Sequence, residues 1–73
     1  MSPATEAAFE EIKRAARTGQ KYIAPVTFTP FYGRAAVSAA FRMARRECIV
    51  EVAYRAQGAP VYQAFGVRAA EKL

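Results

Sequence analysis

The hydrophobic pattern of this chain changes after Glu47 from a helical period to one typical of strands, and this change limits the folds open to it. Before that residue, apolar side chains recur at the three- and four-residue spacing of amphipathic helices. After it, β-branched and aromatic residues gather in two short runs, separated by a segment that contains Gly and Pro. The sequence therefore predicts an α+β fold in which helices come first and a β-hairpin comes last.

The first helix is predicted over residues 3–18. Ser2 followed by Pro3 is typical of a helix N-cap with proline at the first helical position. Apolar side chains, Phe9 among them, recur at the spacing of one buried helix face. Gly19 is a typical C-terminal stop, so the helix is expected to end just before it.

The segment after this helix predicts a short edge strand over residues 26–28. Its side chains are β-branched or aromatic, and Pro25 excludes a central strand at that point. Thr29 and Pro30 then repeat the pattern of an N-cap followed by proline. We therefore expect a short helical turn, with Gly33 as the break that ends it.

Residues 34–47 predict the second strong helix, because almost all of them are good helix formers. At about 100° per residue, one face collects Val37, Ala40, Phe41, Ala44 and Cys48. A different face collects Arg34, Ser38, Arg42, Arg45 and Arg46. The first face is expected in the core, with Cys48 as a buried thiol, and the second is expected to stay open to solvent.

Two strands are predicted over residues 49–55 and 61–67, which are rich in β-branched and aromatic types. The segment 56–60 between them contains Gly58 and Pro60 and is expected to be a turn. The two strands would then form a hairpin with a loop of about five residues.

The 73 residues are expected to form a single domain, 1–73, with a thin margin of stability. Nearly every large apolar side chain should therefore be needed in one core. Among the aromatic residues of the short helical turn and its approach, Phe28 and Phe31 are expected in the core, and Tyr32 is expected to be exposed. The full set of core candidates is Phe9, Ile12, Tyr22, Ile23, Val26, Phe28, Phe31, Val37, Phe41, Ile49, Val50, Val52, Val61, Tyr62, Phe65 and Val67.

Several residue types needed for catalysis are missing. The chain has no His and no Asp, and Cys48 is its only cysteine. Nucleophilic triads need a base such as His, and zinc or two-metal sites need His, Cys or clustered carboxylates. No Gly-rich phosphate-binding loop is present either. The sequence therefore predicts a protein that is not an enzyme and that holds no cofactor and no metal.

The compartment is predicted from the same absences. A single cysteine and the lack of a secretory signal peptide favour a reducing cytoplasm. No apolar run approaches the roughly 18 residues of a membrane span, so no membrane partner is expected.

The formal net charge is +5, which points to a polyanionic partner. The usage is rich in Ala and Arg and poor in Lys, which is typical of GC-rich bacterial, plasmid or phage genomes. A small basic phage, plasmid or bacterial protein that binds nucleic acid fits both observations.

The order of helix, short strand, helical turn, helix and hairpin is that of a winged helix-turn-helix domain. The segment 33–52, from Gly-Arg-Ala-Ala-Val-Ser to Cys-Ile-Val-Glu-Val, resembles the family's recognition helix running into its wing. The segment 58–62, Gly-Ala-Pro-Val-Tyr, is similar to the family's second wing strand. The resemblance covers about residues 26–67. In one respect the chain departs from the family, because only residues 29–32 are available for the helix that precedes the recognition helix.

The resemblance implies sequence-specific or architectural binding of duplex DNA, in transcriptional or recombination regulation. The residues expected at base edges are Arg34 and Ser38, near the N-terminal half of the recognition helix. Those expected at phosphates are Arg42, Arg45 and Arg46. Those expected from outside this helix are Arg55 and Gln57, at the wing tip, and Tyr32, through its hydroxyl.

Other interpretations of the basic helix remain open at this point. The same scaffold could serve as a protein-interaction module, such as a phage-encoded inhibitor of an acidic host protein. It could also associate with RNA or the ribosome through A-form shape, or the arginines could form a solvated face without a partner. If the partner is DNA, one small module buries about 600–1,000 Å², so a homodimer or cooperative binding to repeated half-sites is expected.

Overall fold

The computed structural model describes residues 1–67, in which N-terminal helices are followed by a two-stranded antiparallel hairpin. The predicted α+β order is therefore confirmed. The elements are α1 (Pro3–Arg17), a 3₁₀ turn (Pro25–Thr27), α2 (Thr29–Tyr32), α3 (Arg34–Arg46), β1 (Val50–Ala56) and β2 (Ala59–Ala64). No helix within residues 1–67 has both the length and the apolar character needed to cross a lipid bilayer.

Helix α1 begins and ends where its sequence signals place it. The Ser2 hydroxyl accepts a hydrogen bond from the Thr5 backbone N–H at 3.1 Å, which satisfies one of the free donors of the first turn. Gly19 takes a φ of +74°, the left-handed conformation that ends many helices. The N-cap and the C-terminal stop are both confirmed, and the helix ends one residue before the predicted boundary.

Helix α3 carries the predicted apolar face into the core. Val37, Ala40, Phe41 and Ala44 are all buried, and they pack with residues of α1 and the hairpin. The predicted break before this helix, at Gly33, is confirmed. Gly33 has a φ of +88°, a conformation that only glycine adopts easily. Gly33 thus permits the turn between α2 and α3, and the apolar face holds α3 against the core.

The hairpin is tighter than the sequence predicted. Gln57 and Gly58 alone connect the strands, and both have positive φ, at +52° and +82°, as in a type I′ turn. The expected loop of about five residues is wrong because Pro60 lies inside β2, where it pairs with Arg55. Proline is tolerated there because this is the second residue of the strand, close to the turn.

The predicted edge strand at residues 26–28 is wrong in position. Pro25 starts a 3₁₀ turn, in which Ala24 O accepts a hydrogen bond from the Thr27 backbone N–H at 3.1 Å. The strand pairing occurs earlier, at Ile23, which exchanges two backbone hydrogen bonds with Tyr62 at 2.7 and 3.0 Å. Strand β2 therefore lies between β1 and this single paired residue.

The core joins all of these elements. Its buried members are Ala8, Phe9, Ile12, Ile23, Val37, Ala40, Phe41, Ala44, Val50 and Tyr62. Phe28, Ile49 and Val52 are half-buried against it, as expected for core candidates. Four other candidates are exposed instead, which corrects the prediction for Tyr22, Val26, Phe31 and Phe65. Alanines of α1 and α3 take their share of the interior because small side chains let the two helices approach closely.

Candidate nucleic-acid interface

Helix α3 carries four arginines and no acidic residue. A solvent-facing side beside the buried apolar face is formed by Arg34, Ser38, Arg42, Arg45 and Arg46, and every one of these residues is exposed. We call this set the arginine face. Its separation from the apolar face follows from helical spacing alone, and the prediction that it stays open to solvent is confirmed.

The four guanidinium groups of the arginine face are not neutralised by carboxylates within residues 1–67. The ion pair found there joins Lys13 to Glu10 on α1, at 2.7 Å between the Lys13 Nζ and a Glu10 carboxylate oxygen. That pairing lowers the pKa of Glu10, because the Lys13 ammonium donates a hydrogen bond to the carboxylate. The charges of α3 are therefore available to an external anion, whereas part of the charge of α1 is already used.

A groove of about 560 Å³ runs between α3, the 3₁₀ turn and the hairpin. Ser38, Arg42 and Arg45 line its helix side. The remaining lining residues are Ala24, Pro25, Val26, Phe41, Ala56, Ala59, Pro60, Val61 and Tyr62. Part of the arginine face thus borders an apolar depression rather than a flat surface.

The predicted wing-tip residues lie at the end of the hairpin. Gln57 is exposed in the turn itself, and Arg55 is exposed one pair of residues back along β1. A guanidinium nitrogen of Arg55 donates a hydrogen bond of 3.4 Å to Gly58 O, which is long and leaves the group accessible to solvent. The hairpin tip thus presents one cation and one amide away from the core.

Tyr32 and Phe31 exchange the environments that the sequence predicted. Phe31 is 78% exposed, whereas Tyr32 is half-buried against the core. Burial raises the pKa of Tyr32, and the neighbouring carboxylate of Glu11 raises the pKa further. The short α2 rotates Tyr32 toward α1, so its expected role as the exposed aromatic is a correction. Contact of its hydroxyl with a sugar-phosphate stays a prediction.

Cys48 is exposed, which overturns the expectation of a buried thiol. Helix α3 ends at Arg46, and Cys48 adopts a left-handed φ of +57°. Because the helical period stops before this residue, its side chain does not continue the apolar face of α3.

Sequence reasoning missed a pair of exposed aromatic rings on the outer side of the hairpin. Tyr22 and Tyr54 meet edge-on, with ring centroids 5.6 Å apart. Tyr22 precedes the residue that pairs with β2, and Tyr54 pairs with Val61 of β2, so the two rings meet across that strand. The pairing register of β1 and β2 shifts between Val52 and Tyr54, and no local signal in the sequence marks that irregularity.

The walls of the groove were also missed. Val26 lies in a segment for which the sequence predicts a strand, and Pro60 lies in one for which it predicts a turn. The sequence predicts a functional site at neither residue. Their approach to α3 depends on how the hairpin packs against Phe41, which short-range patterns do not contain.

Comparison with protein-family models, with curated proteins and with solved structures finds no match to this chain.

Proposed function

We propose that this protein binds nucleic acid, and duplex DNA in particular, through the arginine face of α3. One observation carries the proposal: four exposed guanidinium groups lie on the solvent-facing side of one helix, without carboxylate partners in residues 1–67, while the apolar side of that helix is held in the core. Arginine binds phosphate oxygens and also pairs with the O6 and N7 atoms of guanine. A rigid helix that offers several such groups suits a regularly charged duplex.

The arrangement of elements is compatible with a winged helix. In that interpretation α3 is the recognition helix, the β1–β2 hairpin is the wing, and Ile23 supplies the remnant of the first strand through its pairing with Tyr62. The helix before α3 is a single turn, Thr29–Tyr32, preceded by the 3₁₀ turn. The protein is then a small regulator of transcription or recombination, of a phage, plasmid or bacterial type.

The roles of the individual residues follow from their position along α3. Arg34 and Ser38 lie in the N-terminal half, which meets base edges in helix-turn-helix proteins. Arg42, Arg45 and Arg46 lie in the C-terminal half and are assigned to phosphates, which position a protein without specifying sequence. Arg55 and Gln57 are assigned to the minor groove or backbone beside the wing.

The test is a fluorescence-anisotropy titration of labelled duplex DNA at several salt concentrations. Binding is expected to weaken linearly in a plot of log affinity against log salt, because phosphate contacts release counterions. Replacing Arg42 and Arg45 with Ala should reduce the magnitude of that slope by about 1.8. The matched control removes the same charge from α1, with Arg14→Ala and Arg17→Ala, and should change the slope much less.

The outcomes separate the competing functions. Equal losses from the α1 and α3 variants would mean that net charge, and not the arginine face, drives binding. Stronger binding to structured RNA than to duplex DNA would move the proposal to A-form recognition. No binding to either at low salt, with recovery of one acidic protein in a pull-down that the α3 variant abolishes, would establish a protein-interaction module instead.

A further inference from the structure

The groove beside the arginine face has a floor and walls that a DNA backbone does not use. The stacked rings of Phe41 and Tyr62 border it, and Pro25, Val26 and Pro60 form its sides. Phosphates and sugars are polar and hydrated, so they complement the guanidinium groups but not this apolar surface. The proposed DNA contact therefore leaves the apolar part of the groove without a partner.

The size and lining of the groove are those of a small-molecule site. Ligand sites in proteins typically measure about 300–1,000 Å³ and combine apolar walls with a few polar groups, and this groove measures about 560 Å³. Its polar groups are the Ser38 hydroxyl and the side chains of Arg42 and Arg45. Among the described residues that line it, none is acidic.

We infer that this groove binds a small organic anion with an apolar body. The acid group, a carboxylate or a sulfonate, would accept hydrogen bonds from Arg42 and Arg45, and the apolar part would lie against Pro25, Val26 and Pro60. Charge complementarity selects an anion, because the groove offers two cations without a counterion within residues 1–67. The apolar lining selects a ligand with a hydrophobic body over a simple inorganic ion.

The groove would also link anion binding to DNA binding, an inference that rests on the proposed function. Arg42 and Arg45 are assigned to DNA phosphates, so an anion in the groove would compete for the same guanidinium groups. Occupancy of the groove would then weaken DNA binding, and the protein would release DNA in response to a small acidic ligand.

Two dyes that differ in one group test the site directly. The probe is 8-anilinonaphthalene-1-sulfonate, and its neutral comparator is N-phenyl-1-naphthylamine, which has the same ring system without the sulfonate. Fluorescence titration of the wild-type chain without DNA is expected to show saturable binding of the sulfonate, at least about tenfold tighter than the neutral dye, because charge-assisted hydrogen bonds contribute to it alone. Equal affinities, or no saturable binding, would overturn the site.

Charge variants locate the anion. The double variant Arg42→Gln and Arg45→Gln should lose about tenfold in affinity for the sulfonate and keep its affinity for the neutral dye. The double variant Arg34→Gln and Arg46→Gln is the matched control, since it removes the same charge from the same helix at two exposed residues that do not line the groove. An equal loss from this control would mean that the dye senses the charge of α3 and not the groove.

Apolar variants locate the body of the ligand. Val26 is 72% exposed, so Val26→Ser leaves the fold intact and should lower the affinity for both dyes about threefold. Phe31→Ser is the control, because Phe31 is a still more exposed apolar residue that does not line the groove. If Phe31→Ser lowers dye binding and Val26→Ser does not, the dye binds at α2 and the inference is wrong.

Measurements of DNA binding by the same proteins distinguish the anion site from the proposed function. Val26→Ser should bind duplex DNA like the wild type, while the sulfonate dye should weaken wild-type DNA binding. Dye binding that depends on Arg42 and Arg45, in a protein that does not bind DNA, would uphold the anion site and overturn the proposed function. DNA and dye bound together without mutual effect would overturn the competition.

Discussion

Phe41 of α3 and Tyr62 of β2 stack with their ring centroids 4.6 Å apart and their planes inclined by 22°. Phe28 meets Phe41 edge-on, with centroids 5.7 Å apart, so one buried ring joins the helix to the hairpin and to the segment before α2. Phe41 is 1% exposed and Tyr62 is 8% exposed. This contact sets the hairpin beside the arginine face and creates the groove between them.

The Phe41 contact predicts a large stability effect from a modest change. Phe41→Leu removes the ring stacking and leaves a partial cavity, and should lower the free energy of unfolding by about 1–3 kcal/mol. The measurement is urea denaturation followed by far-ultraviolet circular dichroism. Phe31→Leu is the control and should change stability by less than about 0.5 kcal/mol. Equal losses from the two variants would show that Phe41 is not the joint between helix and hairpin.

The two-residue turn predicts opposite effects at adjacent positions. Gln57 holds a φ of +52°, which Asn adopts more easily, so Gln57→Asn should stabilise the chain by up to about 1 kcal/mol. Gly58→Ala should destabilise it by about 1 kcal/mol. A Cβ at Gly58 would meet no atom within 4 Å, so that loss comes from the backbone conformation alone. Thermal unfolding of both variants checks the pair, and a stable Gly58→Ala variant would contradict the observed turn.

Replacing Cys48 with glycine should increase the stability of the fold. Its left-handed φ of +57° strains an L residue, and the exposed thiol contributes little packing. Cys48→Gly should raise the free energy of unfolding by about 0.5–1 kcal/mol. Cys48→Ala keeps the strain and should leave stability nearly unchanged, so the difference between the two variants in urea isolates the backbone effect. A less stable glycine variant would mean that the strain at Cys48 is absent in solution.

The division of α3 into base-reading and phosphate-binding halves predicts two kinds of DNA-binding variant. Arg34→Ala or Ser38→Ala should change the preferred site in a random-site selection, because each removes a group assigned to base edges. Arg46→Ala should lower affinity for all sequences by a similar factor and leave the preferred site unchanged. Variants of Arg34 and Ser38 that keep the wild-type preference would show that the base-reading assignment is wrong.

Tyr32 predicts a small loss of stability at alkaline pH. Burial, with help from Glu11, raises its pKa above the ordinary value of 10.0, so the folded state favours the neutral hydroxyl. The contribution of Tyr32 to the free energy of unfolding is fully present below the unfolded pKa of 10.0. It is lost as the pH rises through the higher pKa of the folded state. Ultraviolet absorbance of tyrosinate should show that the signal lost in Tyr32→Phe appears in the wild type at a higher pH than that of a free tyrosine. A Tyr32 that ionises with the exposed tyrosines would contradict its half-buried position.

Local signals were sufficient for the two long helices. Ser2 as N-cap and Gly33 as the break before α3 act through neighbouring backbone groups, so their effects are readable from a few residues. The arginine face was equally readable, because residues three and four apart share a side of any helix. That part of the candidate site needed no knowledge of packing.

Predictions failed where a residue's surroundings come from distant parts of the chain. Phe31 and Tyr32 are adjacent aromatic residues, and composition does not say which one the short α2 turns toward α1. Proline is rare in strands, so the sequence favours a loop at Pro60, but its position beside a two-residue turn accommodates it in β2. The spacing of Cys48 fits the apolar face of α3, but the helix ends at Arg46, before it reaches this residue.

The sequence alone determined the two amphipathic helices, the hairpin and the uneven distribution of charge around α3. Hydrophobic periodicity, helix capping and turn chemistry determine these features, and each acts over only a few residues. Only the tertiary structure decided that Ile23 pairs with Tyr62 and that the hairpin packs on Phe41. It also decided that an apolar groove opens beside Arg42 and Arg45. These features depend on contacts between residues far apart in the chain, and such contacts are selected by how the whole core packs.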